Sequence, residues 1–181
     1  MSLLVVENNK PIVLNDTNIN YIIKRDFLHK EEQELISEVA DSEKFKSSPS
    51  WLGNFDLKCY YGNRILNTKL NEIARRMADE VPEQKFNTAF LQRYITGAYV
   101  AKHRDPYNNT GYTIIGVAGL FTGATTSITP TFKDEDNISF TLQAGDIAIL
   151  PCTINGRQGH RHSVSPVISG TRYAFILNTI L

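Results

Sequence analysis

His103, Asp105 and His162 are the residues whose types and spacing best fit a metal site. If residues 103–105 are extended, His103 and Asp105 point to the same face, because side chains two positions apart in a strand share a face. Two imidazoles and one carboxylate can hold an ion such as Fe(II) from one side and leave its other positions open. The His-x-Asp pair also fits a hydrogen-bonded turn, so the hypothesis depends on the later histidine.

From the residues alone, the identity of the second histidine stays open. His160 and His162 lie two positions apart and would share one face of a strand. We prefer His162, because it begins a patterned run that leads to Arg172. His160 would then be a substrate-side residue, a support for a ligand, or a surface residue.

Arg172 opens an apolar segment, residues 173–177. A guanidinium that points inward from such a strand needs a partner, and its planar fork matches a carboxylate. Arg172 could therefore hold the far carboxylate of a small diacid; the alternative is an exposed arginine at a strand end. Tyr94 either adds a hydroxyl contact to that diacid or packs in the core, and Thr113 is a further candidate contact.

Length and charge narrow the classes of function. A chain of 181 residues is expected to form one compact domain over 1–181. Nineteen basic and nineteen acidic residues give a formal net charge of +0, which argues against a dominant attraction to nucleic acid or to an anionic membrane. Asp105 lies between rather apolar segments, whereas the other acids of residues 91–181 are expected in a solvated loop or a turn.

Cysteine content and hydropathy bear on the compartment. Cys59 and Cys152 are too few for a disulfide framework and indicate reduced thiols. We see no signal peptide and no run of the roughly 20 apolar residues that a membrane span requires. The expectation is a soluble, cytoplasmic protein.

The elements that would position the site change in character along the chain. Residues 1–26 indicate an extended lead-in, and helical periodicity predicts helices over 26–40 and 66–81. Residues 43–64 are rich in turn formers and predict a mobile loop around Trp51. Short apolar runs separated by turn residues then predict strands at 90–94, 112–119, 138–142, 147–150 and 172–180.

These elements predict an α+β, mostly β fold. Its core would be a double-stranded β-helix of the jelly-roll or cupin-like type, over about 88–181. The two helices, within about 1–87, would cover one face and support that core.

Four segments resemble the 2-oxoglutarate- and Fe(II)-dependent oxygenases, in particular their prolyl-4-hydroxylase-like branch. Residues 22–36 resemble the lead-in strand and first helix of that branch, and residues 91–105 resemble the segment with its first two iron ligands. Residues 143–151 resemble the strand before the distal histidine, and residues 162–173 match the distal motif closely.

The resemblance implies an Fe(II) site made by His103, Asp105 and His162. It implies that Arg172 holds the 5-carboxylate of 2-oxoglutarate and that Tyr94 is a second contact to this cosubstrate. The implied activity is a dioxygenase that hydroxylates an unactivated C–H of a peptidyl, prolyl-type or amino-acid substrate. It would consume O2, release succinate and CO2, and be stimulated by ascorbate.

Two alternatives stay open. Residues 91–105 also resemble AlkB-type nucleic-acid demethylases, although Asn178 stands where that group has a second arginine. Aromatic residues of the 43–64 segment would then stack on bases, with basic residues beside them. The aromatic residues are Trp51, Phe55, Tyr60 and Tyr61, and the basic residues are Lys58 and Arg64. The second alternative is a non-catalytic jelly-roll binding module.

Overall fold

The structure is a computed structural model, which describes residues 21–61, 67–81, 85–105, 111–129, 138–154, 157–158 and 161–180. Two helices are present in these ranges, α1 (Lys30–Ser42) and α2 (Thr68–Ala78). The strands are β1 (Ile22–Lys24), β2 (Lys46–Ser47), β3 (Gly53–Asn54), β4 (Asp56–Tyr61), β5 (Lys85–Tyr94), β6 (Tyr99–His103), β7 (Tyr112–Gly123), β8 (Thr125–Thr129), β9 (Ile138–Thr141), β10 (Ile147–Pro151), β11 (Thr153–Ile154), β12 (Arg157–Gln158), β13 (Arg161–Val164) and β14 (Val167–Ile180).

The strands form two main sheets. The larger has seven strands in the order β1-β10-β7-β14-β5-β4-β2, and the smaller has five in the order β3-β6-β13-β8-β9. Every pairing between neighbouring strands is antiparallel. β11 and β12 pair with each other as a short separate ribbon.

The two helices cover the outer face of the larger sheet. The side chain of Asn67 caps α2 by accepting a hydrogen bond from the Leu70 amide at 3.0 Å, which satisfies one of the free N–H groups of the first turn. Ile36 of α1 and Met77 of α2 are buried against the sheet. Among the described residues, no helix is both long and apolar enough to span a membrane.

Side chains of the larger sheet alternate between two cores. On β14, Tyr173, Phe175 and Leu177 pack with the helices, whereas Ala174 faces the core between the two sheets. This period of two follows from the pleat of a strand. Arg172 and the β14 side chains an even number of positions after it therefore face the core between the two sheets.

The predicted fold class is confirmed: the chain is mostly β, with antiparallel sheets of a jelly-roll-like core and two helices. The two predicted helices and the five predicted strands occur, with ends that differ by a few residues. The prediction of a loop over 43–64 was wrong in part, because β2, β3 and β4 lie there. Its polar, turn-rich sequence hid strands that are specified by pairing with β5 and β6.

Candidate metal centre

Two neighbouring strands of the smaller sheet bring the histidines together. His162 of β13 is the direct cross-strand partner of His103, the last residue of β6. Side chains of directly opposed residues lie on the same face of a sheet, and the two imidazole rings are 4.4 Å apart between centroids. The antiparallel register thus places two distant histidines on one face.

Asp105 follows β6 and completes the group. Its Oδ1 atom lies 3.8 Å from the Nε2 atom of His103 and 3.8 Å from that of His162. One donor atom from each residue lies within 4.8 Å of the others. The side chains are 16%, 17% and 11% exposed for His103, Asp105 and His162, so the group is accessible to a ligand yet mostly shielded from water.

These distances fit a metal ion after a small contraction. Two donor atoms that lie about 2.1 Å from one ion, at right angles to each other, are about 3 Å apart. The Asp105 oxygen needs to approach each histidine nitrogen by under about 1 Å, and no two donor atoms need to close in by more than about 2 Å, which rotation about side-chain bonds can supply. The donor set of two imidazoles and one carboxylate suits Fe(II) and leaves positions open for further ligands.

The protonation of His103 also suits ligation. Its Nδ1 atom lies 2.9 Å from the carbonyl oxygen of Ala101, to which it donates in the tautomer that leaves the Nε2 lone pair free. Burial lowers the pKa of His103, and the neighbouring imidazole of His162 acts in the same direction. The neutral, ligating form is therefore favoured.

Arg172 is a buried cation in the same site. Only 2% of the residue is exposed, and no described residue accepts a hydrogen bond from its Nε atom. The guanidinium lies 4.9 Å above the ring of Tyr94, its cross-strand partner on β5. Burial lowers the pKa of Arg172, while Tyr94 opposes that shift.

Tyr94 is fully enclosed and neutral at physiological pH. Burial raises the pKa of Tyr94 to about 12, although Arg172 acts in the opposite direction. Its hydroxyl donates to the side-chain carbonyl of Gln92, and its ring stacks on Phe55 at 5.0 Å between centroids. Tyr94 is therefore a core residue that also lines the cavity.

One cavity of about 230 Å³ joins these groups. It is lined by the three candidate ligands, by Arg172 and Tyr94, and by Thr113. Most of the remaining lining is apolar, with Leu52, Leu57, Phe90, Val100, Ile115 and Ile176 among it. Such a wall lowers the dielectric around the charged side chains of the cavity, Asp105 and Arg172 among them.

Thr113 lies at the metal group rather than beside Arg172. Its hydroxyl is 2.7 Å from the Oδ2 atom of Asp105. It also lies 3.1 Å from the side-chain oxygen of Asn178 and 3.1 Å from the Cys152 sulfur. The sequence reasoning missed Cys152 and the polar role of Asn178. The inward position of Asn178 could have been predicted, because Asn178 lies an even number of positions after Arg172 on β14 and so points to the same face of the sheet.

Among the described side chains of the 43–64 segment, the aromatic residues do not form one exposed stacking surface. Trp51 lines the cavity and is 67% exposed. Phe55 and Tyr60 are buried at 4% and 8% exposure, and Lys58 forms an ion pair with Glu43 at 3.0 Å. The side chain of Tyr61, as well as Arg64 and the alternative ligand His160, lies outside the described residues.

Comparison with known proteins gives a result at the level of structure alone. No family model matches the sequence, and no curated protein matches it.

Solved structures do match. A viral collagen prolyl hydroxylase from Paramecium Bursaria Chlorella virus-1, solved with 2OG, shares 15% identity over 89% of this chain and 96% of its own, with a TM-score of 0.65. An oxidoreductase of the 2OG-Fe(II) oxygenase family from Burkholderia pseudomallei shares 15% identity over 88% and 84%, with a TM-score of 0.64. The structure of OsALKBH1 shares 10% identity over 87% and 97%, with a TM-score of 0.60. The chain therefore has the fold of the 2OG-Fe(II) oxygenases.

Proposed function

We propose that the protein is an Fe(II)- and 2-oxoglutarate-dependent dioxygenase that hydroxylates an unactivated C–H of a peptidyl, prolyl-type or amino-acid substrate. One observation carries the proposal. A group of His103, Asp105 and His162 lies in the same cavity as a buried Arg172 that has no carboxylate partner among the described residues. The chemistry of the two ends matches the two ends of a 2-oxo diacid.

His103, Asp105 and His162 would hold the iron through the two Nε2 atoms and one carboxylate oxygen. Bound Fe(II) would supply the activation of O2, with one oxygen atom incorporated as 2-oxoglutarate is converted to succinate and CO2 and the other inserted into the substrate C–H. An aspartate at position 105 leaves no vacancy for a halide ligand, which favours hydroxylation over halogenation.

Arg172 would bind the 5-carboxylate of 2-oxoglutarate through a bidentate pair of charge-assisted hydrogen bonds. The ring of Tyr94 fixes one face of the guanidinium, so the cation is oriented before the cosubstrate arrives. Tyr94 is also proposed as a second contact to the cosubstrate. Thr113, which the sequence predicts as a further contact, lines the same cavity.

The apolar lining would exclude water from the reacting C–H. The cavity is small beside the several hundred Å³ typical of ligand pockets, so it accommodates the cosubstrate and a slender part of a substrate. The exposed Trp51 at its wall would contact the rest of the substrate. A peptide with one side chain inserted fits this shape, and the fold of the viral collagen prolyl hydroxylase supports the same interpretation.

The test is turnover of 2-oxoglutarate to succinate with Fe(II), O2 and ascorbate in the wild type and three variants. We expect slow turnover without substrate, which His162→Ala and Arg172→Ala abolish and His160→Ala retains. If turnover survives His162→Ala and is lost in His160→Ala, His160 takes the place of His162 as the third iron ligand. If the wild type makes no succinate and calorimetry shows no metal-dependent 2-oxoglutarate binding, the chain is a non-catalytic binding module.

Nucleic acid remains the alternative substrate because Trp51 is an exposed aromatic ring at the cavity. A stacking contact with a base would give an affinity for single-stranded DNA or RNA that falls with salt. Fluorescence of Trp51, the single tryptophan of the chain, would report such binding. Quenching by oligonucleotides but not by peptides would favour an AlkB-like activity.

A further inference from the structure

The two carboxylate oxygens of Asp105 lie in different surroundings. Oδ1 lies 3.8 Å from each of the two histidine Nε2 atoms. Oδ2 accepts a hydrogen bond of 2.7 Å from the hydroxyl of Thr113. One oxygen thus faces the metal position, and the other is held by a side chain of a different strand.

Thr113 is itself fixed by its place in the larger sheet. It is a buried residue of β7, 3% exposed, and it is the cross-strand partner of Asn178 on β14. Its hydroxyl has a single proton, and the Asp105 carboxylate is the nearest and only charged acceptor of its three polar neighbours. The proton is therefore directed to Asp105.

The other two neighbours can then act as donors to Thr113. Cys152 is buried, and its thiol lies 3.1 Å from the Thr113 hydroxyl, to which it can donate. The same sulfur lies 4.0 Å from Oδ2 of Asp105. Asn178 offers an amide whose nitrogen and oxygen exchange places by a simple rotation. With the nitrogen toward Thr113, the amide is a second donor.

We propose that Thr113, backed by Cys152 and Asn178, is the positioning residue that holds Asp105 with Oδ1 toward the two histidines. This inference rests on the proposed function, since it concerns the same metal group. It differs from a contact between Thr113 and the cosubstrate, because the single hydroxyl proton is used on Asp105. The hydrogen bond aligns the carboxylate for binding through one oxygen and keeps it from turning away before the ion arrives.

Thr113→Val removes the hydroxyl and keeps the shape of the side chain. It leaves Oδ2 of Asp105 without its Thr113 donor, so the orientation of the carboxylate is less firmly held. Loss of such an outer partner typically weakens metal binding by about 10- to 100-fold. Thr113→Ser retains the hydroxyl and should restore affinity to within a few-fold of the wild type.

The buried Thr126 of β8 provides a matched control. It is 2% exposed, and no described residue makes a hydrogen bond with its hydroxyl oxygen. Thr126→Val therefore makes the same chemical change in the smaller sheet without removing a hydrogen bond to Asp105. Its Mn(II) affinity should equal that of the wild type.

The experiment measures Mn(II) binding by electron paramagnetic resonance without 2-oxoglutarate, followed by 2-oxoglutarate binding to the Mn(II)-saturated protein. The expected result is weaker Mn(II) binding in Thr113→Val, recovery in Thr113→Ser and no change in Thr126→Val. Equal Mn(II) affinity in Thr113→Val overturns the inference. So does a loss confined to the 2-oxoglutarate step, which would make Thr113 a cosubstrate contact.

If His103, Asp105 and His162 do not form the metal site on which the proposed function depends, the result is different, because the wild type itself would then bind no Mn(II). If Thr113→Val does not fold, Cys152→Ala decides. That change removes the thiol that can donate to Thr113 and that lies 4.0 Å from Oδ2 of Asp105, and it leaves the Thr113–Asp105 bond in place. We expect a several-fold loss of Mn(II) affinity, whereas an unchanged affinity would overturn the proposed network.

Discussion

Replacing the buried cation Arg172 with methionine should stabilise the ligand-free protein or leave its stability unchanged. The guanidinium is 2% exposed and its Nε atom has no acceptor among the described residues. Burying an unpaired charge costs several kcal/mol. The ring of Tyr94 returns about 2 kcal/mol of this through its contact with the cation.

Methionine has a similar reach and carries no charge. It therefore removes the cost of burying the guanidinium, which is greater than the stabilisation lost with the Tyr94 contact. We expect the free energy of unfolding to stay the same or to rise by about 1–4 kcal/mol. The same change should weaken 2-oxoglutarate binding. Loss of a buried charge pair with a carboxylate costs about 3 kcal/mol, which is roughly a 100-fold increase in Kd.

The assays are urea unfolding of the metal-free protein and calorimetric titration of 2-oxoglutarate into the Mn(II)-loaded protein. Arg93→Met is the matched control, since Arg93 is 32% exposed and pairs with Asp56 at 2.7 Å. It should destabilise the protein by under about 1 kcal/mol and leave the Kd unchanged. A Kd for Arg172→Met equal to that of the wild type would refute the reasoning, whatever the stability.

Three further predictions concern single side chains. Burial lowers the pKa of His103, so the stability that comes from its neutral imidazole is fully present above the unfolded pKa of about 6.5 and is lost as pH falls through the folded pKa. In urea unfolding of the metal-free protein between pH 7.5 and 5, the free energy of unfolding of His103→Asn should therefore change less with pH than that of the wild type. Parallel pH profiles of the two proteins would contradict this. Burial raises the pKa of the Cys152 thiol to about 12, so Cys152 should resist iodoacetamide at pH 8, and the half-buried Cys59 should react first. Mass spectrometry of the folded protein after labelling checks this order. Labelling of Cys152 before Cys59 would contradict the prediction. Gly170 has φ +82° and a Cβ there would lie 2.0 Å from a backbone oxygen, so Gly170→Ala should lower the free energy of unfolding by about 3 kcal/mol or more. Gly97→Ala is the control, because its φ is +85° and no atom lies within 4 Å of the added Cβ; it should lower the free energy of unfolding by only about 1 kcal/mol. Equal losses of stability in thermal unfolding would refute the clash at Gly170.

Much of the larger sheet was predictable because its strands carry their own signal. β14 and β10 are apolar runs between turn residues, and they were expected within a few residues of their ends. β2, β3 and β4 were not expected, since their residues are polar or mixed. β4 is specified by hydrogen bonds to β5, β3 by hydrogen bonds to β6, and β2 by hydrogen bonds to β4, which no local pattern encodes.

The candidate ligands were accessible from residue type and spacing alone, because a histidine and an acid two positions apart, with a later histidine, satisfy the donor needs of one ion. Arg172 was accessible because a cation at the start of an apolar strand needs a partner. Only the tertiary structure placed His162 opposite His103 and brought Thr113 and Cys152 to the second oxygen of Asp105. The two histidines lie on strands far apart in the chain, and the register between β6 and β13 that places them opposite each other is not encoded by the local sequence.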